Sequence, residues 1–269
     1  MARFNSAGRA RIDCRLDARS KFKQSGHKGQ MGGRFSEKVV LIAGGTGGLG
    51  RGVSLAFLEE GAKVVVTYRD QKEFDALERA AGGNSSSLAG HVVDVTNEAA
   101  VNQLVERVLA KYGQLDAVVN AVGAYAGGMT LWETEPKVFE QMLALNLRSG
   151  YLISRSVVPV MLKQKRGAII NVASKAAVDH AAGAAAYAAS KAAAVAMMDS
   201  LAADLKGTGV RVNSILPSII DTEANRKAMP GADFAKWPKA QEIARVILFL
   251  CSDESKLVHG AAVPVYGDT

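Results

Sequence analysis

Hydrophobic and polar positions along the 269-residue chain fall into short β-branched runs separated by longer stretches of helical spacing. Val39-Val-Leu-Ile-Ala43 is such a run, closed by a glycine cluster. From Arg51 to Glu60 the apolar residues Val53, Leu55, Ala56 and Leu58 then recur at helical spacing, so strand, turn and helix follow one another. Gly61 to Thr67 predicts a second strand, Gln71 to Leu88 an amphipathic helix with a Gly/Ser loop, and His91 to Thr96 a third strand carrying Asp94 at its end. A helix over Glu98–Tyr112 leads to a strand from Leu115 to Asn120, then to a long helix containing Leu143 to Leu147, and to a strand from Gly167 to Ser174. The Ala-rich stretch beyond it predicts a helix continuing to Leu205. A strand over Val210–Pro217, a polar stretch to Pro238 suited to a substrate flap, a helix from Gln241 to Cys251 and a last strand from Ala261 to Val265 complete the pattern. Strands and helices alternating without an internal repeat predict an α/β fold, a doubly wound parallel sheet with helices on both faces.

A hydrophobic content of 48% over this length is enough for one sizeable core, hence one domain. Charge divides the chain unevenly. Residues 1–30 hold eight basic side chains against Asp13 and Asp17, a net +6 of the +7 total, so the remainder carries only +1. We therefore read residues 1–34 as a basic, disordered extension and residues 35–269 as the single folded domain. The extension fits an organelle-targeting segment, a polyanion-binding arm, or upstream sequence without a folded role; the third is the reading adopted, with Met31 directly before the run-in to the first strand. A near-neutral domain argues against nucleic acid as the partner. No apolar run reaches ~18 residues, so no membrane span is expected. Cys14 and Cys251 give neither a disulfide framework nor metal-ligand spacing, which suits a reducing cytoplasm and no metal site.

Two constellations carry chemistry. The first is Gly44-Gly-Thr-Gly-Gly-Leu-Gly50, placed between strand and helix, where glycines let the backbone approach a pyrophosphate and the helix start offers unpaired N–H groups. Gly45-x-Gly47-x-x-Gly50 matches the Rossmann fingerprint, and Gly44-x-x-x-Gly48-x-Gly50 is a second spacing of the same turn. The second strand ends Thr67-Tyr68-Arg69-Asp70, with Tyr68 where an acid would bind a ribose 2′-hydroxyl and Arg69 next to it, suited to a 2′-phosphate. NADPH is the expected cofactor; NADH is the alternative, should a one-residue shift bring Asp70 to the ribose. The second constellation is Tyr187-x-x-x-Lys191, four apart on one helix face. A cation about 4 Å from a phenol, at an effective dielectric constant of ~20, favours the phenolate by roughly 4 kcal/mol, enough to bring a tyrosine from pH ~10 toward ~7. Asn146 amid leucines must find partners, either backbone or a water bridging to the lysine. His180 and His259 lack spaced partners and read as ordinary packing or surface.

With these residues in place, the chain resembles the short-chain dehydrogenase/reductase family over nearly all of residues 37–267. The resemblance rests on Ala43-Gly44-x-x-x-Gly48-x-Gly50, Asp94-Val95-Thr96, Asn120-Ala121-Val-Gly123, Asn146, Ser174, Tyr187-x-x-x-Lys191, Asn213 and Pro217-Ser-Ile-Ile220-Asp-Thr222. Ala43 stands where the family usually has Thr, and Ser218 where it generally has Gly. The resemblance implies an NAD(P)-dependent oxidoreductase acting on a small carbonyl or alcohol. Its catalytic set would be Asn146, Ser174, Tyr187 and Lys191: Tyr187 as general acid/base, Ser174 on the substrate oxygen, Lys191 on the nicotinamide ribose, Asn146 holding a water. Its cofactor contacts would be Gly44, Thr46, Gly48, Leu49, Gly50, Arg69, Asp94, Val95, Asn120, Ala121, Gly123, Tyr187, Lys191, Pro217, Ile220 and Thr222. It also implies a homo-oligomer, dimer or tetramer. A local likeness to dihydropteridine reductases over Asp221–Trp237 and Ala124–Gly128 adds reduction of a quinonoid pterin as an alternative. A non-catalytic, cofactor-sensing protein on the same fold is the remaining alternative. Tyr125, Met129, Leu131, Trp132, Met229, Phe234 and Trp237 are candidates for an apolar substrate pocket.

Overall fold

The computed structural model describes residues 33–269, so the extension up to residue 32, with its predicted disorder and Cys14, lies outside the described residues. Seven strands form one sheet: β1 (Val39–Ala43), β2 (Lys63–Tyr68), β3 (Leu88–Val92), β4 (Ala117–Asn120), β5 (Gly167–Val172), β6 (Val210–Pro217) and β7 (Ala262–Val265). Their order is β3-β2-β1-β4-β5-β6-β7, and every neighbouring pair is parallel. The described residues also form eight α-helices: α1 (Gly48–Glu59), α2 (Gln71–Ala81), α3 (Glu98–Tyr112), α4 (Pro136–Leu143), α5 (Ser149–Gln164), α6 (Ala185–Asp204), α7 (Glu223–Ala228) and α8 (Ala240–Cys251).

The central strands are buried on both faces, which is why they read as continuous apolar runs rather than alternating ones. Val40, Ile42 and Ile170 turn to the side covered by α1, α2 and α8, where they meet Phe57, Leu77 and Ile247. Leu41, Val118 and Ile169 turn to the side of α3, α5 and α6, against Leu104, Met161 and Met198. The strand order reverses between β1 and β4, so the chains leaving their C-terminal ends diverge and open a crevice, the position where such sheets bind ligands.

The structure departs from the sequence reading in four places. The third strand is Leu88–Val92, three residues earlier than expected, and Asp94 lies in the loop beyond it. As an edge strand paired only to β2, with all its side chains half-buried or exposed, it leaves no hydrophobic run to read. The long helix is α4 and α5 joined by a π turn over Ala144–Arg148 that contains Asn146. Helix α6 begins only at Ala185; Ser174 instead caps a short 3-10 turn, Lys175–Ala177, by accepting the Ala176 N–H at 3.2 Å. Trp237 is buried, with its ring tilted at 57° to that of Phe234 and the centroids 4.9 Å apart, and the stretch before it carries the short helix α7.

Phe57 is fully buried and meets Phe35 edge to face at 4.8 Å, which ties the run-in to β1 onto the core. Phe57→Ala should cost about 3–5 kcal/mol of unfolding free energy. A double-mutant cycle with Phe35→Ala should show coupling of about 0.5–1.5 kcal/mol. A Phe57→Ala loss below about 1 kcal/mol in urea-derived unfolding free energy would disprove the packing assigned to this pair.

Candidate active site

The glycine turn after β1 is held from both sides. Gly44 takes φ +72°, a left-handed conformation that suits glycine, and its N–H donates to the Thr67 hydroxyl at 2.9 Å. The Gly45 N–H donates to the Thr67 carbonyl at 3.2 Å, and the Ser54 hydroxyl donates to the Gly45 carbonyl at 2.9 Å. A Cβ at Gly50 would overlap the Gly44 carbonyl oxygen, so only glycine lets α1 start this close to β1. Gly47 precedes α1 without any side-chain cap, and the first amides of the helix are left to face the crevice with the positive end of its dipole. This is a cradle for a phosphate anion built from backbone, and it fits a dinucleotide cofactor.

The crevice has two compartments meeting at Thr46, Gly47 and Glu73. One, of about 330 Å³, brings together Gly44, Thr46, Arg69, Asp94, Val95, Ala121 and Gly123. The other, of about 840 Å³, brings together Thr46, Gly48, Leu49, Ile220 and Thr222. Asn120 is buried behind the crevice, where its amide donates to the Asn171 side chain at 3.2 Å and its oxygen accepts the Val122 N–H at 3.3 Å; it shapes the end of β4. Pro217 closes β6, and Thr222 caps α7 by accepting the Asn225 N–H at 3.2 Å. Asp70 is spent as the cap of α2, accepting the Lys72 N–H at 2.8 Å. The Asp94 carboxyl is held below its usual range by the Thr96 hydroxyl and N–H, with the Arg69 cation adding to the effect.

The second cluster lies where β4, β5, the π turn and α6 converge. Asn146 is buried and uses both ends of its amide: Oδ1 accepts the Ala124 N–H at 2.9 Å, while Nδ2 donates to the Ala124 carbonyl at 3.0 Å and the Ser190 hydroxyl at 2.9 Å. These bonds to backbone are one of the two arrangements expected for this residue. The Ser190 hydroxyl in turn donates to the Tyr187 carbonyl at 2.7 Å. Lys191 is buried and donates to the Val172 carbonyl at 2.9 Å, at the end of β5. A side chain at Gly123 would lie 2.9 Å from Asn146 Oδ1 and 3.0 Å from Lys191 Nζ, so this glycine joins the crevice to the cluster.

The electrostatics differ from the sequence expectation. Burial pushes the Tyr187 phenol above its usual value, the neighbouring Ser174 hydroxyl pulls the other way, and Tyr125 adds to the rise. Burial pushes the Lys191 ammonium down from 10.5 to about 8. The two residues share a helix face, yet the lysine stem is long enough to reach the Val172 carbonyl, and the ammonium is committed there rather than to the phenol.

Ser174 and Tyr187 are thus brought together, and Lys191 and Asn146 meet at Gly123. Sequence reasoning missed Glu73, whose carboxylate accepts the Thr46 hydroxyl at 2.8 Å inside the crevice. Its position in the first turn of α2 would have been read as a helix-capping charge. His259 is structural: its Nδ1 accepts the Val212 N–H at 3.1 Å, and Nε2 donates to the Ala202 carbonyl at 2.8 Å. Among the described residues no group of three His, Cys, Asp or Glu side chains could hold a metal ion. No helix among them is long and apolar enough to cross a membrane.

Comparison with known proteins agrees with this geometry. A family model described as short chain dehydrogenase matches residues 38–233. The 3-oxoacyl-[acyl-carrier-protein] reductase FabG of Thermotoga maritima is 33% identical over 242 residues, covering 87% of this chain and 98% of the relative. Among solved structures, ElxO with NADP bound superposes with a TM-score of 0.81 at 25% identity, covering 86% of this chain and 97% of the other. An NAD+-bound xylitol dehydrogenase gives 0.80 at 26%, covering 87% and 99%.

The buried ammonium makes stability depend on pH. Between about pH 8 and 10.5 the unfolded chain holds a proton on Lys191 that the folded chain has shed, so stability rises with pH through that window. The same displacement means that the folded state carries a strain of about 3 kcal/mol at neutral pH. Lys191→Met should therefore raise the urea midpoint at pH 7, by less than that amount because the Val172 carbonyl loses its donor. The gain should shrink as pH rises to 9.5; a gain independent of pH would show that the ammonium is not its source.

Proposed function

The chain belongs to the short-chain dehydrogenase family and is an NAD(P)-dependent oxidoreductase, and from that premise we propose that it interconverts a carbonyl and an alcohol on a small molecule, with NADPH preferred. The observation that carries the carbonyl reading is the Ser174–Tyr187 pair. Because Ser174 Oγ already accepts the Ala176 N–H, its own proton is free to be donated, either to the phenol or to a substrate oxygen.

In this reading, residues 35–269 form the catalytic domain. The dinucleotide would be held by the amides of Gly48 to Gly50, by Arg69, Asp94 and Val95 around the adenosine, and by Asn120, Ala121, Gly123, Lys191 and the Pro217–Thr222 loop toward the nicotinamide. The nicotinamide supplies or accepts the hydride. Tyr187 moves the proton: its hydroxyl protonates the substrate oxygen in reduction and recovers that proton in oxidation. Ser174 donates a hydrogen bond to the same oxygen, where negative charge develops. Lys191 supplies positive charge beneath Gly123, and Asn146 fixes the chain above it through Ala124. Reduction of a quinonoid pterin is the second reading; it leaves the free Ser174 proton without a carbonyl oxygen to serve.

Cofactor choice becomes a contest within one compartment, where Arg69 favours a 2′-phosphate and Glu73 opposes one. Asp70, spent on its helix cap, is removed from the contest. An apolar face formed by Leu143, Leu147, Tyr151 and Met197 along α4 to α6 supports assembly with a second copy, and we place the enzyme in the cytoplasm.

Tyr187→Phe should still bind the dinucleotide and lose at least about 100-fold in kcat, within the range general acid–base catalysis supplies. Activity within threefold of wild type would remove Tyr187 from the mechanism. Arg69→Ala should raise the dissociation constant for NADPH about tenfold more than that for NADH, and Glu73→Gln should lower it; equal effects on both cofactors would reject the assignment of this compartment to the 2′ position.

A further inference from the structure

Beside the catalytic phenol stands a second tyrosine that the reaction as described does not use. Tyr125 meets Tyr187 edge to face, with ring centroids 5.0 Å apart and planes at 75°. It is nevertheless 68% exposed, so much of its ring is open to solvent next to the reacting hydroxyl. An exposed aromatic ring on a loop ordinarily samples many rotamers, and ordering it upon binding would consume part of the affinity it brings.

Here the loop is fixed on both sides of the ring. Ala124, directly before Tyr125, has its N–H and its carbonyl both bonded to the buried Asn146 amide, at 2.9 and 3.0 Å. Three residues after the ring, the Gly128 N–H donates to the Gly183 carbonyl at 2.9 Å, tying the loop to the approach of α6. Between these anchors the Tyr125 hydroxyl folds back over Gly127, in space that a Cβ on that residue would overlap. The same loop continues into exposed apolar side chains, Met129, Leu131 and Trp132. A pre-set aromatic surface beside a proton donor, at the apolar mouth of a site, matches the side of a substrate that carries a flat ring.

We propose that Tyr125 is the substrate-selecting residue, its open ring stacking on a planar, conjugated group attached to the carbonyl, so that aryl carbonyl compounds are taken over saturated ones of equal size. The proposal rests on the carbonyl reading above and adds the substrate class to it. Gly127 serves as its positioning residue, because it lets the ring lie back toward Tyr187. Stacking of this kind contributes about two- to tenfold in selection.

The test uses the full chain with NADPH and two probes of matched carbon skeleton, acetophenone and cyclohexyl methyl ketone. For each protein the ratio of kcat/KM values is compared with wild type, which cancels the difference in intrinsic reactivity. Tyr125→Phe should keep the wild-type ratio within twofold. Tyr125→Leu should lower it about two- to tenfold, through the KM of acetophenone, and Gly127→Ala should lower it in the same direction with the tyrosine intact. The same ratio is read in binding, from dissociation constants of both ketones with the NADPH complex of Tyr187→Phe, which requires no turnover. Selection in binding without turnover in wild type would overturn the carbonyl-reductase reading and sustain this one. Equal losses for both ketones in Tyr125→Leu, an unchanged ratio, or no binding of either ketone would overturn the role of Tyr125.

Discussion

One buried amide holds the working parts of this molecule together. Asn146 sits in a π turn between two helices, and its side chain reaches the chain leaving β4 through both polar groups of Ala124 and reaches α6 through Ser190. Leaving such a group unpaired in an apolar helix pair would cost more than the bonds contribute, so the arrangement is all or none. The π turn is part of the solution, since an extra residue in the helical turn changes where the side chain emerges. Three elements from distant parts of the sequence are thereby fixed relative to one another before any ligand arrives. Gly123, Tyr125, Tyr187 and Lys191 all lie within one or a few residues of its contacts.

Charge follows from this packing rather than preceding it. Two opposing effects bear on a tyrosine and a lysine that share a helix face: mutual attraction of their ionised forms when the two groups meet, and the cost of removing each from water. At an effective dielectric constant of ~20 the first amounts to roughly 4 kcal/mol at about 4 Å. In the observed arrangement the ammonium is turned to the Val172 carbonyl, and burial is the leading influence on each group, raising the phenol and lowering the ammonium. The ammonium is compensated by a carbonyl oxygen at the end of β5, a dipole rather than a charge. A lysine held in this way remains a source of positive potential that can turn toward a new partner, whereas a closed ion pair would already be neutralised.

Much of this was legible along the chain, for identifiable reasons. Val39–Ala43 and Val210–Pro217 are buried on both faces and so read as apolar runs, and Glu98–Tyr112 carries a helical period between an Asn cap and a glycine end. The glycine turn and Tyr187-x-x-x-Lys191 were visible because their chemistry demands fixed spacing. The third strand was misplaced because an edge strand with half-exposed side chains has no such signature. Lys191 was assigned to the phenol because spacing on a helix gives the shared face, not the carbonyl on a neighbouring strand that a long side chain will find. Glu73 and the fixed loop around Tyr125 depend on contacts between segments far apart in sequence, which no local pattern encodes.

The division between what was legible and what was not runs parallel to the division between chemistry and choice. The groups proposed to carry the reaction, Ser174 just beyond β5 and Tyr187 and Lys191 on α6, take their spacing from the turn and the helix that follow one strand. Residues that decide which molecule is accepted sit on the loops that strand ends emit, where the backbone tolerates change and exposure is permitted. Tyr125 belongs to the second group by its exposure and to the first by its contact with Tyr187. A loop residue ordinarily free to vary is here fixed through Asn146 to the same scaffold that fixes Tyr187. In the proposed roles of Tyr125 and Tyr187, selection and proton transfer share one support, so that loosening the amide at residue 146 disturbs both together.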